Sequence, residues 1–376
     1  MIATTIPSLP AANELAPNEI LLDPGPKWKR IEDYLLEAGI HLPLFHRLAW
    51  AEAAPEGKHR LLVVRGEEGR IVGGVSLQID RSRVLPGHRY LRVARFGEGM
   101  PREIWEPIVA ALAKLTRDDP KILRMSVRVF SRDHHDELGE LLQKYGFHRE
   151  PHPTSYRHTL SIDLRPEEQE ILGSLNKSAR KNLRDADKAA VSVREISDNR
   201  YAKRLTELEI KAIRRTNGTS PPQDWNALIT LSGRHPELSR IVGLFLSTDS
   251  VDPEQLVGFA WGCLNGTNGE YRAGGTVQSP GLKISISHRL LRDLILWSKR
   301  NGASWFDMGG VTVGEPDWHP LHGVSVFKRH FTHHLEDVGE EWSVEPHPVR
   351  ASFVRWIGSY VRRSTDAMQR VRNGWH

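Results

Sequence analysis

Trp305 Phe306 Asp307 Met308 Gly309 Gly310, followed after a short loop by Gly323 Val324 Ser325 Val326 Phe327 Lys328 Arg329 His330 Phe331, is the stretch on which the reading turns. The aromatic and aliphatic residues around Asp307 predict a buried strand, and Gly309 Gly310 at its end let backbone or substrate come close. Phe327 and Phe331 stand one helical turn apart, so they anchor a short helix while Lys328 points elsewhere. A carboxylate at a strand end beside a lysine on an anchored helix is a candidate reaction centre. The plainer alternative is a surface lysine and a loop-capping aspartate.

Outward from this pair, Ser285 to Lys299 carries Ile286, Leu290, Leu291, Leu294, Ile295 and Trp297 at helical spacing, with Gly302 as a stop signal. Arg240 to Leu246, Leu256 to Leu264 and Glu270 to Gly274 read as strands, the last two joined across Asn265 Gly266 Thr267 Asn268 Gly269. The first half has the same order. Short helices at Trp28 to Ala38 and Phe45 to Ala53 precede a hairpin, His59 to Arg65 and Arg70 to Ile79; then come a strand (Tyr90 to Arg95), a helix (Trp105 to Leu115), a strand (Ile122 to Phe130) and a helix (Asp136 to Tyr145). This repetition predicts two α/β units arisen by duplication. The expected division is a loose segment 1–22, domains 23–158 and 159–348, and a terminal helix 349–376.

A chain of 376 residues exceeds the size at which one core stops growing, which agrees with two domains. Its 39% hydrophobic and 26% charged residues describe a globular protein. No apolar run approaches the ~20 residues of a membrane helix, and the start lacks the regions of a signal peptide, so a cytoplasmic location is expected. The single cysteine, Cys263, sits in an apolar segment and reads as buried filler. A net charge of +5 leans towards anionic partners.

Between the units, Pro166 to Ala190 reads as one amphipathic helix. Ile171, Leu172, Leu175, Ala179, Leu183 and Ala186 share one side, while Lys177, Arg180, Lys181, Arg184 and Lys188 fall within about 100° opposite. Five like charges repel unless a partner or solvent offsets them, so this face is a candidate anion site. It has no aromatic residue for stacking on exposed bases. Val349 to Arg372 also reads as amphipathic, either a peripheral membrane contact or a helix docked on its own domain.

Leu175 to Leu183, Phe306 to Gly310 and Phe327 to Phe331, in this order and spacing, resemble the FemAB-type transferases, as do Pro43 to Trp50 and Ile71 to Gly74; Tyr145 Gly146 Phe147 resembles an ending of GNAT folds. The resemblance spans most of residues 28 to 345. It implies an α/β fold of two tandem GNAT-like domains, with mixed sheets flanked by helices. It further implies transfer of an acyl or aminoacyl group to an amine, in the best-known members from aminoacyl-tRNA onto peptidoglycan precursors, in others by acetyltransferase-like enzymes of polysaccharide clusters. By resemblance Lys328 matches the lysine that faces the reacting carbonyl or tRNA end; on chemical grounds Asp307 orients it or accepts the proton of the attacking amine, and Phe327, Gly309 and Gly310 are candidate substrate contacts. The basic helix then meets the phosphate of a nucleotide- or lipid-linked sugar, or of tRNA.

A CoA-dependent GNAT normally has a glycine-rich pyrophosphate loop. The matching stretch here, Gln278 Ser279 Pro280 Gly281 Leu282 Lys283 Ile284 Ser285, lacks its second small residue, leaving Lys283 and the helix start at Ser285 as candidate phosphate contacts. The donor stays open between aminoacyl-tRNA and acyl-CoA, and no tightly bound cofactor is expected. The long coiled-coil arm of some family members is not expected after Val193. His319, His322, His330, His333 and His334 do not make a metal-ligand pattern, and neither a nucleophile elbow nor a Walker loop occurs. An acyl-CoA-dependent N-acetyltransferase of exopolysaccharide synthesis is the second enzyme reading. A non-catalytic GNAT pair that binds RNA or a polyanion is the alternative of another class; DNA is not an expected partner.

Overall fold

The computed structural model describes residues 21–350 except 54–57, 66–70, 152, 190, 216–221, 247–250, 278–284, 317–318, 320 and 348, and also residues 356–357. The strands form two sheets of seven. In the first, β1 (Leu21–Leu22), β2 (Lys58–Arg65), β3 (Ile71–Arg81), β4 (Arg89–Phe96) and β5 (Ile122–Val129) lie side by side, followed by β14 (Glu341–Val344) and then β6 (His148–Arg149). In the second the order is β13 (Leu335–Asp337), β7 (His158–Asp163), β12 (Trp305–Gly310), β11 (Asn268–Thr276), β10 (Leu256–Asn265), β9 (Ser239–Phe245), β8 (Ser192–Glu195). Each sheet has one parallel pair, β4 with β5 and β11 with β12, and is otherwise antiparallel.

Apolar patterning sets the layers. Every residue of β10 is buried, because both faces are covered. Val257, Ala260 and Leu264 face a core built with α9 (Ile286–Arg300), while Phe259, Trp261 and Cys263 face α7 (Ala202–Arg215) and α8 (Trp225–Arg234). On the first sheet Val75, Leu77, Leu91 and Val93 meet α3 (Trp105–Asp118) and α4 (His135–Lys144). Leu61 and Val63, on the other face, meet Trp28 and Leu35 of α1 (Pro26–Glu37) beside α2 (Leu48–Ala53).

The repeated order expected from the sequence is present, with one exchange. In the first sheet the slot beside the fifth strand of the repeat is filled from the second half, and in the second sheet it is filled by β7, where the chain crosses from one half to the next. β7 leaves the first half and pairs with β12, whereas β14 returns from beyond β13 and inserts between β5 and β6. A cut at residue 158 therefore does not part the two sheets, because residues 341–344 of the expected second domain belong to the first sheet.

The single helix expected over 166–190 is two: α5 (Glu168–Ser174) and α6 (Lys177–Asp187). Leu175 between them is extended (φ −56°, ψ 149°). Asn176 caps α6, its Oδ1 accepting from Ala179 N at 3.1 Å and its Nδ2 donating to the Arg329 carbonyl at 2.8 Å. Apolar spacing runs through the break because Leu175 and Ala179 both reach the core, so periodicity alone does not show it. Helices α7 and α8 are additions to the elements expected from the sequence. Of the segment 349–376, nearly all lies outside the described residues, as does Lys283.

Candidate active site at a splayed strand pair

The parallel pairing of β11 with β12 covers Asn268 with Trp305, Gly269 with Phe306 and Glu270 with Asp307, and there it stops. Beyond this point a cavity of about 620 Å³ opens between β11, α7, α9 and α10 (His322–Arg329). Tyr271, Gly275, Leu291, Val324, Phe327 and Glu209 are among its walls. β12 turns away at Gly309, whose φ of 77° is in the left-handed region that suits glycine.

Lys328 is buried, at 6% exposure, and its Nζ donates to the Gly310 carbonyl at 2.7 Å. A Cβ on Gly309 would stand 3.2 Å from that Nζ, so the glycine is what lets the ammonium lie against the turn. Burial pushes the lysine down to about 8, opposed by the fields of Asp307 and Glu270. The sequence expectation that Lys328 points away from the packed face is thus overturned: α10 turns it inward together with Ser325, whose hydroxyl receives Thr312 N at 3.0 Å. Phe331, just beyond the helix, is buried, and Phe327 is half-buried on the cavity side.

Asp307 has a full complement of donors. Oδ1 accepts from Thr159 Oγ1 and from Gly309 N at 2.6 Å; Oδ2 accepts from Tyr156 OH at 2.8 Å and lies 3.5 Å from Arg95 Nη2. It does not bond Lys328 directly. The link runs through the backbone, since Asp307 holds the amide of Gly309 and Lys328 the carbonyl of Gly310.

Around this pair is a buried charge cluster drawn from both halves. Arg95, at φ 46°, places its guanidinium 2.9 Å from Glu270, against Glu98, and over the Phe130 ring at 3.5 Å. Such a backbone conformation is uncommon for a residue with a side chain and persists where the surroundings impose it. Glu270 also accepts from Arg272 at 3.0 Å and Asn265 at 2.7 Å, and the Tyr156 hydroxyl, whose one proton is shared with Asp307, lies 3.2 Å away. Burial disfavours its charge, but Arg272 and Arg95 more than reverse this and hold it below the usual carboxylate range. Burial carries Glu98 the other way, up to about 7 against the pull of Arg95. Tyr156 is raised by burial and by the Asp307 and Glu270 carboxylates, which keeps it a hydrogen-bond donor. On the far side of this cluster Arg92, Arg95, Arg128 and Arg272 line a second pocket of about 350 Å³, with Trp50 and Phe130.

Of the residues singled out from sequence, the fold brings Asp307, Gly309, Gly310, Phe327 and Lys328 together. The basic residues of α6 are elsewhere. Lys177, Lys181 and Arg184 are exposed, Lys181 pairing with Asp185 at 3.1 Å, and Arg180 turns back onto the carbonyls of Gly173, at 2.7 Å, and Leu175. Arg180 therefore stitches the break between α5 and α6. Ser285 precedes α9 and bonds His288, which burial lowers to about 4. Sequence reasoning missed Arg95, Glu98, Tyr156, Thr159, Glu270 and Arg272. Glu270 carried the available signal, a carboxylate inside a strand whose neighbours are apolar or glycine. No three or more His, Cys, Asp or Glu among the described residues are grouped so as to hold a metal ion.

No family model matches this sequence, and no curated protein does. Solved structures do match. The chain is similar to FemX, with a TM-score of 0.68 at 16% identity over 84% of this chain and 96% of that one. It is also similar to L-PGS from Bacillus licheniformis, with a TM-score of 0.53 at 12% identity over 91% and 98%. A tandem GNAT protein from the clavulanic acid biosynthesis pathway overlays more loosely, at a TM-score of 0.45 and 17% identity over 80% and 86%. The architecture is that of the FemAB type: two GNAT-like α/β units in tandem, with mixed sheets flanked by helices.

Proposed function

We propose that this chain is an acyl or aminoacyl transferase that moves its group from an ester or thioester donor to an amine. The observation that carries this is Lys328: a buried ammonium, fixed on the Gly310 carbonyl beside a left-handed glycine, on the same short helix as Val324 and Phe327 of the cavity wall. Attack of an amine nitrogen on the donor carbonyl forms a C–N bond and an oxyanion. Collapse then breaks the C–O or C–S bond and releases the alcohol or thiol, while the amine gives up a proton. An ammonium already in place faces the oxyanion without reorganising, an effect worth about 3 kcal/mol for a comparable single donor.

In this reading Asp307 accepts no proton, because its oxygens are occupied; it sets the Gly309–Gly310 turn on which Lys328 rests. The donor takes the 620 Å³ cavity, and the four arginines of the other pocket attract the anionic part of the acceptor, such as the phosphate of a nucleotide- or lipid-linked sugar precursor of the cell envelope. Lys177, Lys181 and Arg184 add an exposed basic face for the phosphates of a tRNA or CoA donor. FemX and L-PGS as fold neighbours agree with this class of chemistry, and among the described residues no helix is long and apolar enough to cross a membrane. The test is Lys328→Ala, assayed with charged tRNA and with acyl-CoA on phosphorylated amino-sugar acceptors. Turnover falls on the order of 10²–10³-fold with unchanged melting temperature; undiminished turnover refutes the role.

A further inference from the structure

We infer that Glu209 is an ammonium-binding, specificity-determining residue in the wall of the donor cavity, admitting donors that bear a protonated amine beside the reacting carbonyl over plain acyl groups. The inference rests on the transferase reading and narrows its donor.

Glu209 reaches this wall because α7 lies directly on β11. A Cβ at Gly275 would stand 2.7 Å from the Leu208 carbonyl oxygen, so only a glycine allows the approach. The Glu209 side chain is 7% exposed and held by one oxygen: Oε2 accepts from Gln223 N at 2.9 Å and from Trp225 Nε1 at 2.8 Å. Among the described residues Oε1 has neither a hydrogen-bond nor an ionic partner, and Glu209 is one of the residues that line the cavity.

The rest of that wall is mainly apolar among the described residues, with Ala212, Ile213, Phe259, Leu290 and Leu291; Arg215, the other charged residue described there, is exposed and makes no ion pair with Glu209. A carboxylate without a cation in such a wall is unfavourable, and burial holds this one above the usual range. An arriving ammonium offsets that cost, whereas an acyl chain adds to it. A purely structural Glu209, holding the entry to α8, needs only an acceptor oxygen at Oε2, which glutamine also supplies.

The test is calorimetric binding at pH 7 of a panel of L-amino acid amides, from glycinamide to phenylalaninamide, of their N-acetyl derivatives, and of n-propylamine. For at least one amide, binding to the wild-type chain is expected to be tenfold or more tighter than that of its N-acetyl form and of propylamine. Glu209→Gln levels amide and N-acetyl amide without lowering the melting temperature. Equal binding of the two forms to the wild-type chain, or no saturable amide binding, overturns the inference whether or not the variant folds. Discrimination that survives in Glu209→Gln overturns it as well. Propylamine matching the best amide assigns the site to the acceptor amine and overturns the donor assignment. These readouts need no turnover, so their failure leaves the transferase reading to stand or fall on Lys328→Ala.

Discussion

The two parallel strand pairs occupy matching places in the two sheets and end differently. β4 and β5 pair from Arg89 with Ile122 to Phe96 with Val129, with an irregularity between Val93 and Phe96, while β11 and β12 part after Glu270 with Asp307. The helix after the closed pair, α4, buries Leu138 and Leu142 in the core. The helix after the open pair, α10, buries Lys328. One scaffold, used twice, thus places leucines on the helix after the closed pair and a buried lysine on the helix after the open one. What distinguishes them is the glycine-rich turn after Asp307 and the charges that surround it.

Substitutions at the two helices break or sharpen this contrast. The largest effect on turnover is expected from Lys328→Ala, while Leu138→Ala costs about 2–5 kcal/mol of stability and leaves turnover per folded molecule unchanged. Chemical denaturation together with assay at matched folded fraction checks both. Asp307→Ala strips Arg95, Tyr156, Thr159 and the Gly309 amide of a partner; removing one member of a buried ion pair costs about 3–5 kcal/mol, so denaturation midpoints should fall well below wild type. Gly310→Ala brings a Cβ to 2.5 Å from Tyr156 Cβ and is expected to lower both melting temperature and turnover, whereas Gly173→Ala, with open space around it, is expected to be neutral.

A pH series gives a finer cut. If the ammonium form of Lys328 acts, turnover falls as pH rises through about 8, and Lys328→Arg, which keeps its charge, moves that fall to higher pH. The stability consequence has a definite sign. Between about 8 and the ordinary lysine value of 10.5 the folded chain binds fewer protons at this site than the unfolded one, so this group's contribution grows more favourable as pH rises through that window. A Lys328→Met variant lacks that rise, and denaturant titrations at pH 7 and pH 10 measure it. The smallest effect is expected from Lys181→Glu with Arg184→Glu: weaker, less salt-dependent binding of a polyanion, read from the salt slope, with Lys328 chemistry untouched.

The repeat was legible because its strands and helices carry unbroken apolar patterns, and β12 with α10 stood out by their glycines and paired aromatics. β14 was not, since Glu341 Trp342 Ser343 Val344 mixes charge and bulk and its partners, Met125 to Arg128, lie far away in the chain. Lys328 was legible as a candidate, but its burial was not, because helical spacing ranks faces by apolar content and here the inward face includes a charge. Arg95 read as an ordinary polar position on a strand, and Glu270 signalled no more than a carboxylate between Gly269 and Tyr271; only the fold shows that the two pair across the halves. The basic stripe of α6 was legible as composition, yet Arg180 is engaged by carbonyls of the preceding turn, a local competition that charge counting does not see.

The exchanged strand has a consequence for the order of events during synthesis. When residue 163 leaves the ribosome, β7 exists but its partners β12 and β13 do not, and the first sheet has a gap between β5 and β6 that nothing yet translated is meant to fill. That gap closes only when residues 341–344 emerge, so the first sheet to be started is among the last to be finished. A nascent chain in this condition presents open strand edges that invite wrong partners. Release of a chain ending before residue 341 would make that interval permanent, and such a product is expected to associate through the open edges of β5 and β6.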